Sequence, residues 1–147
     1  MTSQQILIVD DDPICAELSR GALQRAGFQV AVAQDAAALA VALKVKVPEL
    51  ILLDLGLPFM DGLHIARALK ADPKFARIPV IAYSAAGDDT ANEAFCSGCA
   101  GFIAKPADYT TFSSAVAWFL QPRTFPYRPV QSGTALRFPN PAHAVRH

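Results

Sequence analysis

Four short aliphatic runs in this sequence each end in a residue able to handle charge. Ile6–Val9 leads into Asp10, Asp11 and Asp12, Leu50–Leu53 into Asp54, Ile78–Tyr83 into Ser84, and Gly101–Ala104 into Lys105. Brought to one rim, Asp10, Asp11 and Asp54 would repel one another, raising the pKa of at least one carboxyl unless a cation lay between them. An oxygen-only donor set with few carboxylates suits Mg²⁺, which keeps several waters and accepts phosphate oxygens. The implied ligands are a metal and a phosphoryl group. Asp54, at the end of the central run, is the candidate nucleophile, because a carboxylate there can form an aspartyl phosphate. Phosphoryl transfer asks mainly for in-line positioning and for neutral surroundings at the equatorial oxygens. Mg²⁺ would cover one oxygen, the Lys105 ammonium a second and the Ser84 hydroxyl a third.

These residues can meet only if the fold brings the ends of the runs together. A fifth run, Phe28–Ala33, joins the other four, and stretches with helical spacing follow each run. Ile14, Leu18, Ala22 and Leu23 share one face of the first helix, which stops at Gly27; Ala36, Leu39, Ala40 and Leu43 share one face of the second, which stops before Pro48. The third starts at an Asp61 cap and covers 62–71 with Leu63, Ala66 and Leu69 inward. The fourth spans about 88–97, and the fifth about 108–120, with Phe112, Val116, Phe119 and Leu120 inward. Wholly apolar strands alternating with helices predict an α/β fold, a five-stranded parallel sheet doubly wound as (βα)5. Ligands of such sheets lie at the carboxyl ends of the strands, where the charged residues stand.

Of the 147 residues, 52% are apolar, and 13 Lys+Arg balance 13 Asp+Glu. The balance hides two parts: residues 122–147 hold four arginines and no acid, so 1–121 hold 13 acids against 13 − 4 = 9 bases. Five of the eleven prolines also fall in 122–147. The chain is thus read as a folded acidic domain, 1–121, with a basic Pro-rich extension, 122–147, flexible or packed on a partner. An acidic domain argues against direct DNA binding. The most apolar run, LILLDLGLPF, is broken by Asp54 and is too short for a membrane span; the uncharged start MTSQQ is no signal peptide. A cytoplasmic location is expected. Three cysteines in a chain able to bury a core argue against a disulfide framework.

In ILIVDDDP (6–13), LILLDLGLPFMDG (50–62), IPVIAYSA (78–85) and GCAGFIAKP (98–106) the sequence resembles the response-regulator receiver domain of two-component signalling. The resemblance covers residues 4–121. It implies that Asp54 is the phospho-acceptor; that Asp10 and Asp11 form an acidic pair; that Asp11, Asp54 and the Gly56 carbonyl bind Mg²⁺; that Ser84 and Phe102 are the switch residues; and that Lys105 contacts the phosphate ahead of a cis Lys105–Pro106 bond. Ser84 stands where Thr is commoner and Phe102 where Tyr is commoner, so the latter lacks a hydroxyl. The implied protein is a stand-alone regulator that takes phosphate from a histidine kinase or histidine phosphotransfer protein. It would catalyse only its own phosphorylation and dephosphorylation. Its signal would pass to a downstream protein target through the face of the fourth helix, fifth strand and fifth helix, with a homodimer through that face as a further expectation.

Two rival readings stand beside this one: a receiver-like interaction module independent of phosphorylation, and a haloacid-dehalogenase-type phosphohydrolase, which Asp10-x-Asp12 superficially fits, with Asp10 carrying the phosphate. The intact acidic residues and Lys105 argue against the first, the short chain against the second. Asp12 is read as a helix cap ahead of Pro13. Cys96 and Cys99 form a C-x-x-C without the further ligands zinc needs, so Cys99 is expected in the core. His64 is read as a solvated helix residue. Trp118 falls off the buried stripe of the last helix, as an exposed contact residue or one covered by the extension.

Overall fold

The computed structural model of the chain describes residues 4–57, 61–85, 88–105, 108–120 and 136–137. Strands and helices alternate as β1 (Gln5–Val9), α1 (Pro13–Arg25), β2 (Gln29–Ala33), α2 (Ala36–Val45), β3 (Leu50–Leu53), α3 (Gly62–Ala71), β4 (Val80–Ser84), α4 (Asp88–Cys96), β5 (Gly101–Ala104) and α5 (Phe112–Leu120), followed by the two-residue β6 (Leu136–Arg137). The strand order is β2-β1-β3-β4-β5-β6. β1 to β5 are mutually parallel, as expected for a doubly wound (βα)5 sheet. β6 extends the sheet: it runs antiparallel to β5, with Arg137 opposite Phe102 and Leu136 opposite Ile103. This strand was not expected from the sequence.

The period of two along each strand divides the core between the faces of the sheet. Leu7, Val9, Ile51, Leu53, Val80, Ala82 and Phe102 pack with α2, α3 and α4 through Leu39, Ile65, Ala66, Leu69, Ala91 and Ala94. Ile6, Ile8, Leu50, Leu52, Ile81, Tyr83 and Ile103 pack with α1 and α5 through Ala22, Leu23, Phe112, Ala115, Val116 and Phe119. Aspartates cap two of the helices that leave the site's rim, α1 and α3. Asp12 accepts from the N–H groups of Ile14 and Cys15, and Asp61 from that of Leu63, satisfying donors the first turn leaves without partners. A Cβ at Gly62 would lie 2.5 Å from the Leu55 Cα and 2.8 Å from the Asp54 carbonyl oxygen. Only glycine lets α3 begin against the loop that carries Asp54.

Some inward stripes differ from expectation. α1 buries Ala16, Ser19, Ala22 and Leu23, while Ile14 and Leu18, expected inward, are 72% and 52% exposed. Small inward residues seat this helix close to the sheet and turn its large aliphatics out. In α2, Leu39 is buried, Ala36 and Leu43 are half-buried, and Ala40 is exposed. α5 starts at Phe112 rather than Asp108, because the Asp108 carboxylate accepts from the Thr110 N–H and hydroxyl in a turn ahead of the helix. Trp118 is half-buried against the α1/α5 core, edge-on to Phe119 at 5.1 Å. His64 is exposed.

The C-x-x-C pair is divided between surface and core: Cys96 is exposed and Cys99 buried, and both are free thiols. Burial pushes the Cys99 thiol up to about 12, so it is protonated and unreactive near neutral pH. A thiol reagent applied to the native protein at about pH 7.5 will show a fast phase that Cys96→Ser removes and Cys99→Ser leaves intact. A fast phase lost in Cys99→Ser would contradict this placement.

Candidate functional site

The chain reverses its direction across the sheet between β1 and β3, and the residues just past those strands are Asp10 and Asp54. Open α/β sheets bind ligands at such switch points. The Asp10 N–H donates to the Ala33 carbonyl at 3.0 Å and the Asp54 N–H to the Val9 carbonyl at 2.8 Å, which fixes both backbones at the rim. At the end of β5, the Lys105 N–H donates to the Ser84 carbonyl at 2.9 Å. Ser84 and Lys105 are thereby brought to the same edge, with Ser84 buried.

The side chains converge on one cation. Lys105 Nζ donates to Asp10 Oδ2 at 2.9 Å and to Asp54 Oδ2 at 3.2 Å. The other oxygen of each carboxylate is held locally: Asp10 Oδ1 accepts from the Asp12 N–H at 3.0 Å, and Asp54 Oδ1 from the Gly56 N–H at 2.9 Å. Access separates the two. The Asp10 side chain is 0% exposed and that of Asp54 12%.

Burial raises the Asp10 carboxyl pKa; the Asp12 N–H and Lys105 oppose the rise, and the Asp54 charge adds the least to it. The expected upward shift is present, but desolvation outweighs mutual repulsion as its cause. Burial pulls the Lys105 pKa down, yet the hydrogen bond and charge of Asp10, with the charge of Asp54, leave it raised overall. Asp10, Asp11 and Asp54 each offer a carboxylate oxygen, all within 4.8 Å of one another. Two buried carboxylates, an exposed third and an oxygen-only donor set fit a hard divalent cation open to water on the Asp11 side.

Phe102 lies inward, fully buried with Val80 and Ala82 on the α3/α4 face. The Lys105–Pro106 bond falls outside the described residues. Sequence reasoning missed a polar cluster on the opposite face. The hydroxyls of Tyr83 and Tyr109 are 2.6 Å apart, Ser19 Oγ lies 3.3 Å from the first and 3.4 Å from the second, and Cys15 Sγ donates to Tyr83 at 3.6 Å. Its sequence signal was a tyrosine in a fully buried strand, whose hydroxyl requires a partner.

The sequence profile of the response regulator receiver domain matches residues 6–117. This chain belongs to that family. Over 108 residues it is 40% identical to the DNA-binding dual master transcriptional regulator RpaA of Synechocystis, covering 71% of this chain and 44% of that protein. It is 33% identical over 109 residues to an uncharacterised 14.6 kDa protein of Leptolyngbya boryana, covering 74% and 83%. The receiver domain thus spans less than half the length of RpaA. Among the solved structures that share its fold are two receiver domains. One is the signal receiver domain of a signal transduction histidine kinase from Syntrophus aciditrophicus (29% identity, TM-score 0.73, covering 85% of this chain and 100% of that one). The other is that of a DNA-binding response regulator from Colwellia psychrerythraea (26%, 0.74, 80% and 98%). Receiver domains are phospho-acceptor signalling domains that generally use Mg²⁺ at their acidic site. Among the described residues no helix is long and apolar enough to cross a membrane.

Proposed function

We propose that this receiver domain accepts a phosphoryl group on Asp54 from a phosphohistidine of a histidine kinase or histidine phosphotransfer protein. The observation that carries the reading is the Lys105 ammonium shared between Asp10 and Asp54, of which only Asp54 is open to a donor. An Asp54 carboxylate oxygen forms the new P–O bond as the P–N bond to the donor imidazole breaks; the imidazole leaves with the bonding pair and takes a proton from water. Lys105, already on Asp54, transfers its hydrogen bond to an incoming equatorial oxygen, and the Ser84 hydroxyl donates to another. Asp11, Asp54 and the Gly56 carbonyl, with Asp10 beside them, would hold Mg²⁺, which would supply the remaining charge neutralisation. The protein turns over no other substrate.

The output is a phosphorylation-dependent contact with a downstream protein through the α4/β5/α5 face, where Ser84 and Phe102 relay the change. A homodimer through this face belongs to the same proposal. A partner approaching the outer edge of β5 meets Leu136–Arg137 there. The family match over residues 6–117 supports 1–121 as the receiver unit, here read as cytoplasmic, with 122–147 as its extension.

Exposed Ile14 and Leu18 one helical turn apart, beside Asp12 at the rim, argue for a protein donor, since large exposed aliphatics at a site mark a contact surface. Ile14→Asp will slow transfer from a phosphohistidine protein on the order of tenfold while leaving phosphorylation by a small acyl phosphate unchanged. Equal slowing with both donors would remove the argument for a protein contact here.

A further inference from the structure

We propose that Tyr83 is a positioning residue for Lys105: its ring sets where the ammonium stands relative to Asp54, and core packing holds the ring, with a cluster of hydroxyls adding to it. The inference rests on the phospho-acceptor reading and adds a residue to it. Lys105 reaches the rim on a flexible four-carbon stem, and its two carboxylate partners limit the position of Nζ mainly in their own directions. On the α1/α5 side the restraint is the Tyr83 ring, whose centroid lies 4.9 Å from Nζ, within the range of a cation–π contact. With Lys105 side-chain exposure at 16%, water competes little for the ammonium.

The ring itself has almost no freedom. It is 1% exposed and packs against Phe112 at 5.5 Å between centroids. Its hydroxyl meets groups from two other parts of the chain, Tyr109 in the turn before α5 and Ser19 with Cys15 in α1. To leave its place, the ring must give up its packing in the core as well as these hydrogen bonds. The ammonium is therefore held on three sides before a donor arrives, by Asp10, Asp54 and the ring.

Tyr83→Phe and Tyr83→Leu separate this role from a structural one, because both lose the hydroxyl and only Leu loses the ring. A merely structural Tyr83 makes the two variants behave alike. Positioning predicts that, with Mg²⁺ and a small acyl phosphate, Tyr83→Leu lowers the maximal rate of phosphorylation about tenfold without moving the donor concentration at half-maximal rate. Tyr83→Phe stays within about twofold of wild type, although the melting temperature falls in both. Wild-type rate in Tyr83→Leu, or equal loss in the two variants, would overturn the proposal. Crystal structures of both variants without metal give a readout free of activity: Nζ stays on Asp54 with Phe at position 83 and leaves it with Leu. Nζ unmoved in Tyr83→Leu refutes positioning, and this result is obtained whether or not Asp54 accepts phosphate.

Discussion

Asp54→Asn will reduce phosphoryl incorporation from a small acyl phosphate on the order of a thousandfold or more while leaving the fold intact. The amide lacks the charged oxygen that attacks phosphorus. No neighbouring carboxylate takes over: Asp10 has no exposed side-chain surface and spends both oxygens on Lys105 and the Asp12 N–H. Asp11 is exposed, but among the described residues the hydrogen bonds of Lys105 go to Asp10 and Asp54 instead. The substitution is mild for stability. The Asn carbonyl oxygen can still accept from the Gly56 N–H, Lys105 retains Asp10, and the buried site loses one of its negative charges. The shift is expected within about 1 kcal/mol. Radiolabel retained under acid and released by base measures the incorporation; a mutant labelled to wild-type stoichiometry would contradict the assignment.

Lys105→Met will cost roughly 2–4 kcal/mol of stability in chelator near neutral pH, and the loss will depend on pH in a fixed direction. In the wild type the Asp10 pKa is raised above 3.8, so the folded state holds this proton more tightly than the unfolded chain. Stability from this group is greatest in acid and falls as pH rises through the raised value. Lys105 works at the other end: raised above 10.5, it contributes fully below that pH and is lost above it. Removing the ammonium deletes the hydrogen bond and charge that restrain Asp10, so its carboxyl rises further and its ionisation costs more. The deficit against wild type will therefore widen as pH rises above the ordinary carboxylate range, read from urea midpoints. Millimolar Mg²⁺ will narrow it, as a cation among Asp10, Asp11 and Asp54 takes over part of the lost charge. A deficit that does not change with pH would mean that Lys105 stabilises by packing its stem and not by neutralising carboxylates.

Strand ends were the most legible feature of the sequence. Residues that stop an apolar parallel strand must stand at its carboxyl end, and Asp10, Asp54, Ser84 and Lys105 did so because a buried strand leaves no other place for charge. The caps were legible for a similar reason, since Asp12 and Asp61 directly precede helical spacing. The face of α1 was not. A pattern search ranks Ile14 and Leu18 as inward, but the helix buries Ala16 and Ser19, and a buried serine is explained only by the hydroxyls of Tyr83 and Tyr109, 64 and 90 positions away. The same long-range pairing hid Tyr83, which read as one more apolar residue of β4. β6 was hidden because two residues among prolines and arginines carry no periodicity, and their strand exists through the edge of β5. Which carboxylate is open to a donor was also invisible, being a matter of side-chain burial that three adjacent aspartates do not disclose.

The central claim is that Asp54, and no other carboxylate of the rim, carries the phosphoryl group. The direct measurement is to load the wild-type protein from a small acyl phosphate with Mg²⁺, reduce the acyl phosphate with borohydride and locate the resulting homoserine by tandem mass spectrometry of the peptides. The structure predicts a single mark at Asp54. A mark at Asp10, Asp11 or Asp12, with position 54 unmodified, would contradict it.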